Sequence, residues 1–177
     1  MKLRKAKQTD VREIFLLNLE AAKTANGVAR KVEEILQKDV ADFVKKSLRT
    51  GLIFVIEHPS NPKKLIAEIH CYKHEPQCFK HVLGNLTLVV HPDFQGQGLG
   101  RKIFSHLLTE IKKSRRSIVR VELMTRQNNP RGIKLYQSLG FEIEGVCKNR
   151  ILDAEKKLGS DVMMAWFNPS FESLQIS

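Results

Sequence analysis

The chain predicts an α/β layer fold formed by one domain, and three observations carry that prediction. Its 177 residues, 42% hydrophobic and 28% charged, suffice for a single core without disulfide staples, since a chain of this size buries roughly 70% of its unfolded surface. The apolar period switches repeatedly between the helical and the strand repeat. Between residues 86 and 145, strand-like runs are joined by helix-like segments, and such crossovers make the joined strands parallel.

A first helix follows Thr9-Asp10, where Val11, Ile14, Phe15, Leu19 and Ala22 share one face and Asp10 and Glu13 stand at capping-box spacing. Asn26-Gly27 marks a turn. A second helix is read through Val32, Ile35, Leu36, Val40, Phe43 and Val44, stopped by Gly51. Residues 52–56 form a short apolar strand, His58-Pro59-Ser60-Asn61-Pro62 a turn, and residues 65–70 a second strand. The third strand, 86–90, stops at Pro92. After a glycine-rich loop, Leu99, Ile103, Leu107 and Ile111 recur every four residues and predict a third helix. Residues 119–123 alternate as a strand, a fourth helix runs from about Pro130 to Leu139 and ends at Gly140, and two last strands fall at 141–145 and 161–167.

Lys and Arg number 30 against 19 Asp and Glu, a net charge of +11 with a pI near 9.7. A field of that sign suits nucleic acid, an anionic membrane or an anionic small molecule, and alone selects none of them. Nucleic acid is disfavoured because 9 Phe, 2 Tyr and 1 Trp offer no stacking array on any strand, and no helix-turn-helix, zinc-finger or RRM signature is present. No apolar run reaches the roughly 18 residues of a membrane span. The opening MKLRKAKQTDVREI lacks the apolar region of a signal peptide, so a soluble, cytoplasmic protein without membrane association is expected. Cys71, Cys78 and Cys147 are odd in number and fit reduced thiols in that compartment.

Gln95-Gly96-Gln97-Gly98-Leu99-Gly100 lies between the third strand and the third helix. Backbone amides that approach a phosphate closely leave no room for side chains, and a helix N-terminus favours negative charge. The stretch has the chemistry of a pyrophosphate cradle, its bland alternative being a plain glycine-rich turn. It is neither a G-x-G-x-x-G with an acid about 20 residues on nor a Walker loop closed by Lys-Ser/Thr, which sets aside nicotinamide enzymes and nucleoside triphosphatases.

The flanking residues narrow the reading. Val89-Val90-His91-Pro92-Asp93-Phe94, continued by the loop, resembles motif A of the GCN5-related N-acetyltransferase (GNAT) family, whose core reads Gln/Arg-x-x-Gly-x-Gly/Ala. Asn129-Pro130-Arg131-Gly132-Ile133-Lys134-Leu135-Tyr136, followed by Leu139-Gly140-Phe141-Glu142 and Glu144-Gly145, looks like its motif B, and is most similar to the branch acting on small amines and amino acids. The match covers about residues 86–146. It implies one domain over residues 1–177, a central twisted mixed sheet of about six to seven strands flanked by about four helices, and a splayed parallel strand pair.

The resemblance further implies acetyl-CoA as co-substrate, held without metal where the two parallel strands splay, with a small-molecule primary amine or amino acid attacking directly; it allows a homodimer. The amides of Gln95, Gly96, Gln97, Gly98, Leu99 and Gly100 would hold the pyrophosphate, and the edge of Leu88, Val89 and Val90 the pantetheine arm. The Val89 or Val90 N–H would stabilise the oxyanion. Tyr136 matches the family's general acid, a phenol of pKa about 10 being protonated at neutral pH, and Asn129 matches its cofactor-contacting asparagine. Read without the family, Tyr136 is a packing residue and Asn129 a helix N-cap.

An alkylammonium must lose a proton before it attacks. Many relatives place a glutamate on the strand before the loop, where this chain reads Gly84-Asn85. Glu68, His70, His81 and Glu122 are the candidate bases, with water chains through Asn85 as another route. The missing glutamate keeps open a non-catalytic acyl-CoA-binding or regulatory module on the same fold. His70-Cys71-x-x-His74-x-x-x-Cys78-x-x-His81 carries zinc-type ligands, but its separations are tighter than those of structural fingers, and a hairpin with solvated histidines is the simpler expectation. Arg101, Lys102, Lys112, Lys113, Arg115, Arg116 and Arg120 against Glu110 concentrate positive charge just beyond the loop. Arg101 and Lys102, in the first helical turn, are placed to meet a CoA phosphate.

Overall fold

A computed structural model describes residues 1–24, 31–152 and 156–172. In chain order the elements are β1 (Leu3–Lys5), α1 (Val11–Ala22), α2 (Gln37–Thr50), β2 (Leu52–His58), β3 (Asn61–Lys73), β4 (Val82–Val90), α3 (Leu99–Ser114), β5 (Arg120–Arg126), α4 (Pro130–Ser138), β6 (Glu142–Leu152) and β7 (Leu158–Phe167). The sheet has seven strands in the order β1-β2-β3-β4-β5-β7-β6. It is mixed: β4 and β5 are parallel, while β1 with β2, β2 with β3, β5 with β7 and β6 with β7 are antiparallel. The turn at Asn26-Gly27 lies outside the described residues. Among those described, no helix is long and apolar enough to cross a membrane.

The contacts gather into two compact units, Met1–Tyr72 with Thr87–Glu110 and Lys73–Leu86 with Ile111–Ser177. In the first, alternate residues of the strands feed two apolar layers. Ile53, Val55, Leu65 and Val89 join Ile14, Leu17 and Ala21 of α1 and Val40 and Val44 of α2 in one core. Phe54, between Ile53 and Val55, instead meets His106 of α3 edge-on, ring centroids 4.7 Å apart. In the second unit, β5 and β7 pair from Arg120↔Phe167 to Arg126↔Asp161, burying Val121, Leu123, Val162, Met164 and Trp166. The registered β4–β5 pairs are Val82↔Arg120 and Leu83↔Val121, although both strands continue well beyond them.

Several elements depart locally from what the sequence predicts. Asp10 does not cap α1 with Glu13: its backbone is already helical and its carboxylate turns back, accepting the Lys7 N–H at 2.7 Å and two bonds from Arg4. A buried carboxylate is held better by a guanidinium than by amides alone. The second helix begins at Gln37, not near Val32. Residues Val32–Glu34 form a 3-10 turn closed by Glu34, which accepts the Lys31 N–H, and Ile35 and Leu36 are extended. Ile35 is nonetheless buried, so its apolar signal reports core packing and not helical phase. The strand before the loop starts at Val82, its early part disguised by Gly84 and by Asn85 at φ 51°. The last two strands extend past their apolar runs, and β1 carries no apolar run to betray it.

Gly51 ends α2 for a reason of space. Its N–H donates to the Ser47 carbonyl at 3.0 Å, and a Cβ there would lie 1.8 Å from the Cys71 carbonyl oxygen. Gly140 instead takes the left-handed conformation, φ 92°, that closes α4.

Candidate active site

In the first unit, β4 runs out at Val90 and the chain makes a 3-10 turn over Pro92–Phe94 before the loop. Two glutamines brace it: Gln95 Nε2 donates to the Val90 carbonyl and Gln97 Nε2 to the Asp93 carbonyl, each at 3.2 Å. Gly96 and Gly98 both sit at φ 78°. A Cβ on Gly98 would meet no atom of the described residues within 4 Å, so that glycine answers to backbone conformation and to open space above the loop. Leu99 anchors the start of α3 in the core, and the Lys102 N–H returns to the Gly98 carbonyl at 3.0 Å. The Gln95 N–H, expected to join the cradle, is instead given to the Pro92 carbonyl at 3.2 Å, while the amides between it and that first helical bond have no intrahelical acceptor. An exposed amide turn with positive-φ glycines and open space over it fits a pyrophosphate, with Arg101 and Lys102 exposed in the first turn of α3. Val89 points into the α1/α2 core, which turns Leu88 and Val90 to the opposite face.

In the second unit, Asn129 caps α4. Its Oδ1 accepts the Gly132 N–H at 3.0 Å and its Nδ2 donates to Thr125 Oγ1 at 3.2 Å, leaving one lone pair and one amide hydrogen for a ligand. Gly132 makes this cap possible, since a Cβ there would lie 2.4 Å from Asn129 Nδ2. Tyr136 lies on α4, its ring 6.2 Å from that of Phe141, and burial pushes its phenol above the usual tyrosine range.

The four candidate bases occupy three kinds of place. Glu68 and His70 of β3 form a sealed pair, Nδ1 to Oε1 2.8 Å, with side chains 0% and 6% exposed. Among the described residues Glu68 Oε2 has no hydrogen-bond partner, and the His70 ring stacks on Phe43 of α2 at 4.1 Å. A carboxylate so enclosed cannot touch a diffusing amine directly. His81 stands at the start of β4, where its carbonyl accepts the Val119 N–H at 2.9 Å, and ligands of parallel strands gather at the opposite, carboxyl ends. Glu122 of β5 is accessible, 30% exposed, and is bound to a residue not singled out as a base: His74 Nε2 lies 2.8 Å from its Oε1. Arg120 approaches its other oxygen at 3.2 Å and holds Glu144 at 2.6 Å. These partners, Glu144 foremost, raise the guanidinium pKa against the opposing effect of burial.

The Cys/His cluster is dispersed, with His70 and Cys71 on β3 and the other three members in the connection to β4. Cys71 is buried, His70 and His74 each pair with a carboxylate, and Cys78 is exposed. Among the described residues, no three His, Cys, Asp or Glu side chains gather as metal ligands would.

Residues 49–143 match the acetyltransferase (GNAT) domain family, and the chain belongs to that family. Over 63 residues it is 40% identical to the [ribosomal protein bS18]-alanine N-acetyltransferase of Escherichia coli, a stretch covering 36% of this chain and 41% of that protein's length. It is 35% identical over 65 residues to the L-amino acid N-acyltransferase MnaT of Escherichia coli, covering 37% of this chain and 36% of the relative. In three dimensions it resembles yncA of Salmonella typhimurium, solved with its cofactor acetyl-CoA: TM-score 0.83, 18% identity, 100% of this chain and 99% of the other.

Proposed function

We propose that residues 1–177 form one acetyl-CoA-dependent N-acetyltransferase that acylates the amino group of an amino acid, either free or as part of a larger molecule. The observation that carries this reading is the 95–100 loop: two glycines at φ 78°, the second of them under open space, ahead of α3. The acceptor class rests on the two curated relatives, whose names share an amino-acid nitrogen and differ in whether it belongs to a protein or a free amino acid. A small amine of another kind is the broader expectation from motif B.

When bound, acetyl-CoA supplies an activated thioester. The chain's own residues do the remaining work. The amides from Gly96 to Gly100 hold the pyrophosphate, the Gln95 N–H being given to the Pro92 carbonyl, and the β4 edge at Leu88, Val89 and Val90 aligns the pantetheine arm, while Arg101 answers a phosphate charge. Tyr136 donates a proton to the departing sulfur; its phenol, raised by burial above the usual tyrosine range, carries that proton at neutral pH. Thiol release followed over a panel of free amino acids, simple primary amines and peptides beginning with alanine tests the reading. Release with an amino-acid or peptide acceptor supports it. Tight acetyl-CoA binding without release for any acceptor would favour a non-catalytic acyl-CoA-binding module.

A further inference from the structure

The ammonium of the acceptor must hand its proton to a group of this chain before it attacks. Gly84 and Glu122 are the residues that follow the last registered pair of the two parallel strands, Leu83↔Val121. Over Gly84 lies the ring of His74, which comes from the connection between β3 and β4. A Cβ on Gly84 would sit 2.4 Å from His74 Nε2 and 3.3 Å from Glu122 Oε1, so the absence of a side chain there is what lets the imidazole reach the carboxylate. The pair spans 48 residues of sequence, and both side chains keep about a third of their surface open, 33% for His74 and 30% for Glu122. Phe79 meets the ring edge-on, centroids 5.6 Å apart.

The chemistry of this pair is directional. An ionised carboxylate has only acceptors, so the Nε2 facing it carries the hydrogen, and in the neutral ring Nδ1 keeps the lone pair. Nδ1 has no hydrogen-bond partner among the described residues. A partly exposed imidazole whose far nitrogen is fixed by a carboxylate is the arrangement of a general base with its orienting group. The geometry points to His74 as the proton acceptor for the incoming amine, with Glu122 as its positioning residue; the assignment rests on the acyltransferase reading. His74 Nδ1 takes a proton from the ammonium, the N–H electron pair stays on the amine nitrogen as the nucleophile, and Glu122 offsets the imidazolium charge. Arg120 faces the same carboxylate from β5, and Glu144 of β6 neutralises Arg120 in turn.

The test compares wild type with His74→Gln, Gly84→Ala and Glu122→Gln. In the protein without substrate, the imidazole nitrogen resonances of His74 should show the Nε2–H tautomer in wild type and lose it in Gly84→Ala. That substitution displaces only the end of a side chain, so the fold, followed by circular dichroism, is retained. In turnover, His74→Gln and Gly84→Ala should each lower kcat/KM by about 100-fold or more and abolish the acid limb of its pH profile. An Nδ1–H tautomer in wild type overturns the proposal. So does a loss of activity that leaves the pH profile unchanged in shape, or an acid limb that survives in His74→Gln and vanishes in Glu122→Gln. If wild type releases no thiol with any acceptor, the acyltransferase reading itself falls and takes this assignment with it. If wild type turns over and the variants keep its profile, the base assignment alone falls.

Discussion

At the scale of single residues, two kinds of chemistry separate. Tyr136 and Asn129 sit in contiguous motifs, so their types and spacing were readable along the chain, together with the bland alternatives that they also satisfy. Asn129 is in fact an N-cap, and any ligand contact must use what capping leaves over. The Tyr136 role is checked by Tyr136→Phe, which keeps the ring and removes the proton. Turnover with acetyl-CoA should fall by about 100-fold or more while circular dichroism stays that of the parent. Because the folded phenol is raised above its unfolded value near 10, its contribution to stability is complete below that pH and is lost as pH rises through the folded value. Parent and variant should therefore differ in their alkaline denaturation. His74 was visible in the sequence only as one of several zinc-type ligands. Its carboxylate partner lies far along the chain, and no local pattern announces the pair.

At the scale of elements, charge fixes what periodicity cannot. Arg4 of β1 donates to Asp10 at 2.7 and 3.0 Å and to Glu57 of β2 at 2.6 Å, tying the short first strand to the start of α1. Burial pushes the Asp10 carboxyl up, but the Arg4 hydrogen bond and the Lys7 N–H outweigh it and leave the group below the usual carboxylate range. A depressed folded pKa contributes stability above the unfolded value of about 3.9, lost as pH falls through the folded value. Arg4→Met should cost about 1.5–3 kcal/mol at pH 7, and the gap from the parent should narrow in acid, as measured by urea denaturation at pH 7 and pH 3. The 95–100 loop answers to backbone conformation. Gly98→Ala should destabilise by about 1–2 kcal/mol, the cost of a left-handed backbone, whereas Gly98→Asn tolerates that conformation better. Calorimetry should show both weakening acetyl-CoA binding, because each places a Cβ in the open space above the loop. Strong apolar periods fixed α1, α3, β2 and β5. The extended segment at Ile35–Leu36 mimics helical phase in the sequence because apolar residues can be buried in either conformation, and most of β6 is not legible there because an exposed, charged edge strand carries little apolar alternation.

At the scale of the whole molecule, a net charge of +11 first admits several anionic partners. The family assignment and the loop give part of that surplus a place, at the start of α3. Arg101→Gln should weaken acetyl-CoA binding several-fold at low salt, and the difference should shrink as the Debye length falls from about 10 Å at 0.1 M to about 3 Å at 1 M; titration calorimetry at the two salt concentrations checks this. The sequence by itself determined the α/β class, the order of most elements, the glycine loop and the family, because each is written in neighbouring residues whose backbone preferences and apolar periods act locally. Only the tertiary structure decided which charged groups meet: Arg4 with Asp10 and Glu57, Glu68 with His70 in a sealed pair, and His74 with Glu122 over Gly84. Those meetings depend on strand register and burial, and a side chain's partner across a sheet is set by how distant strands align.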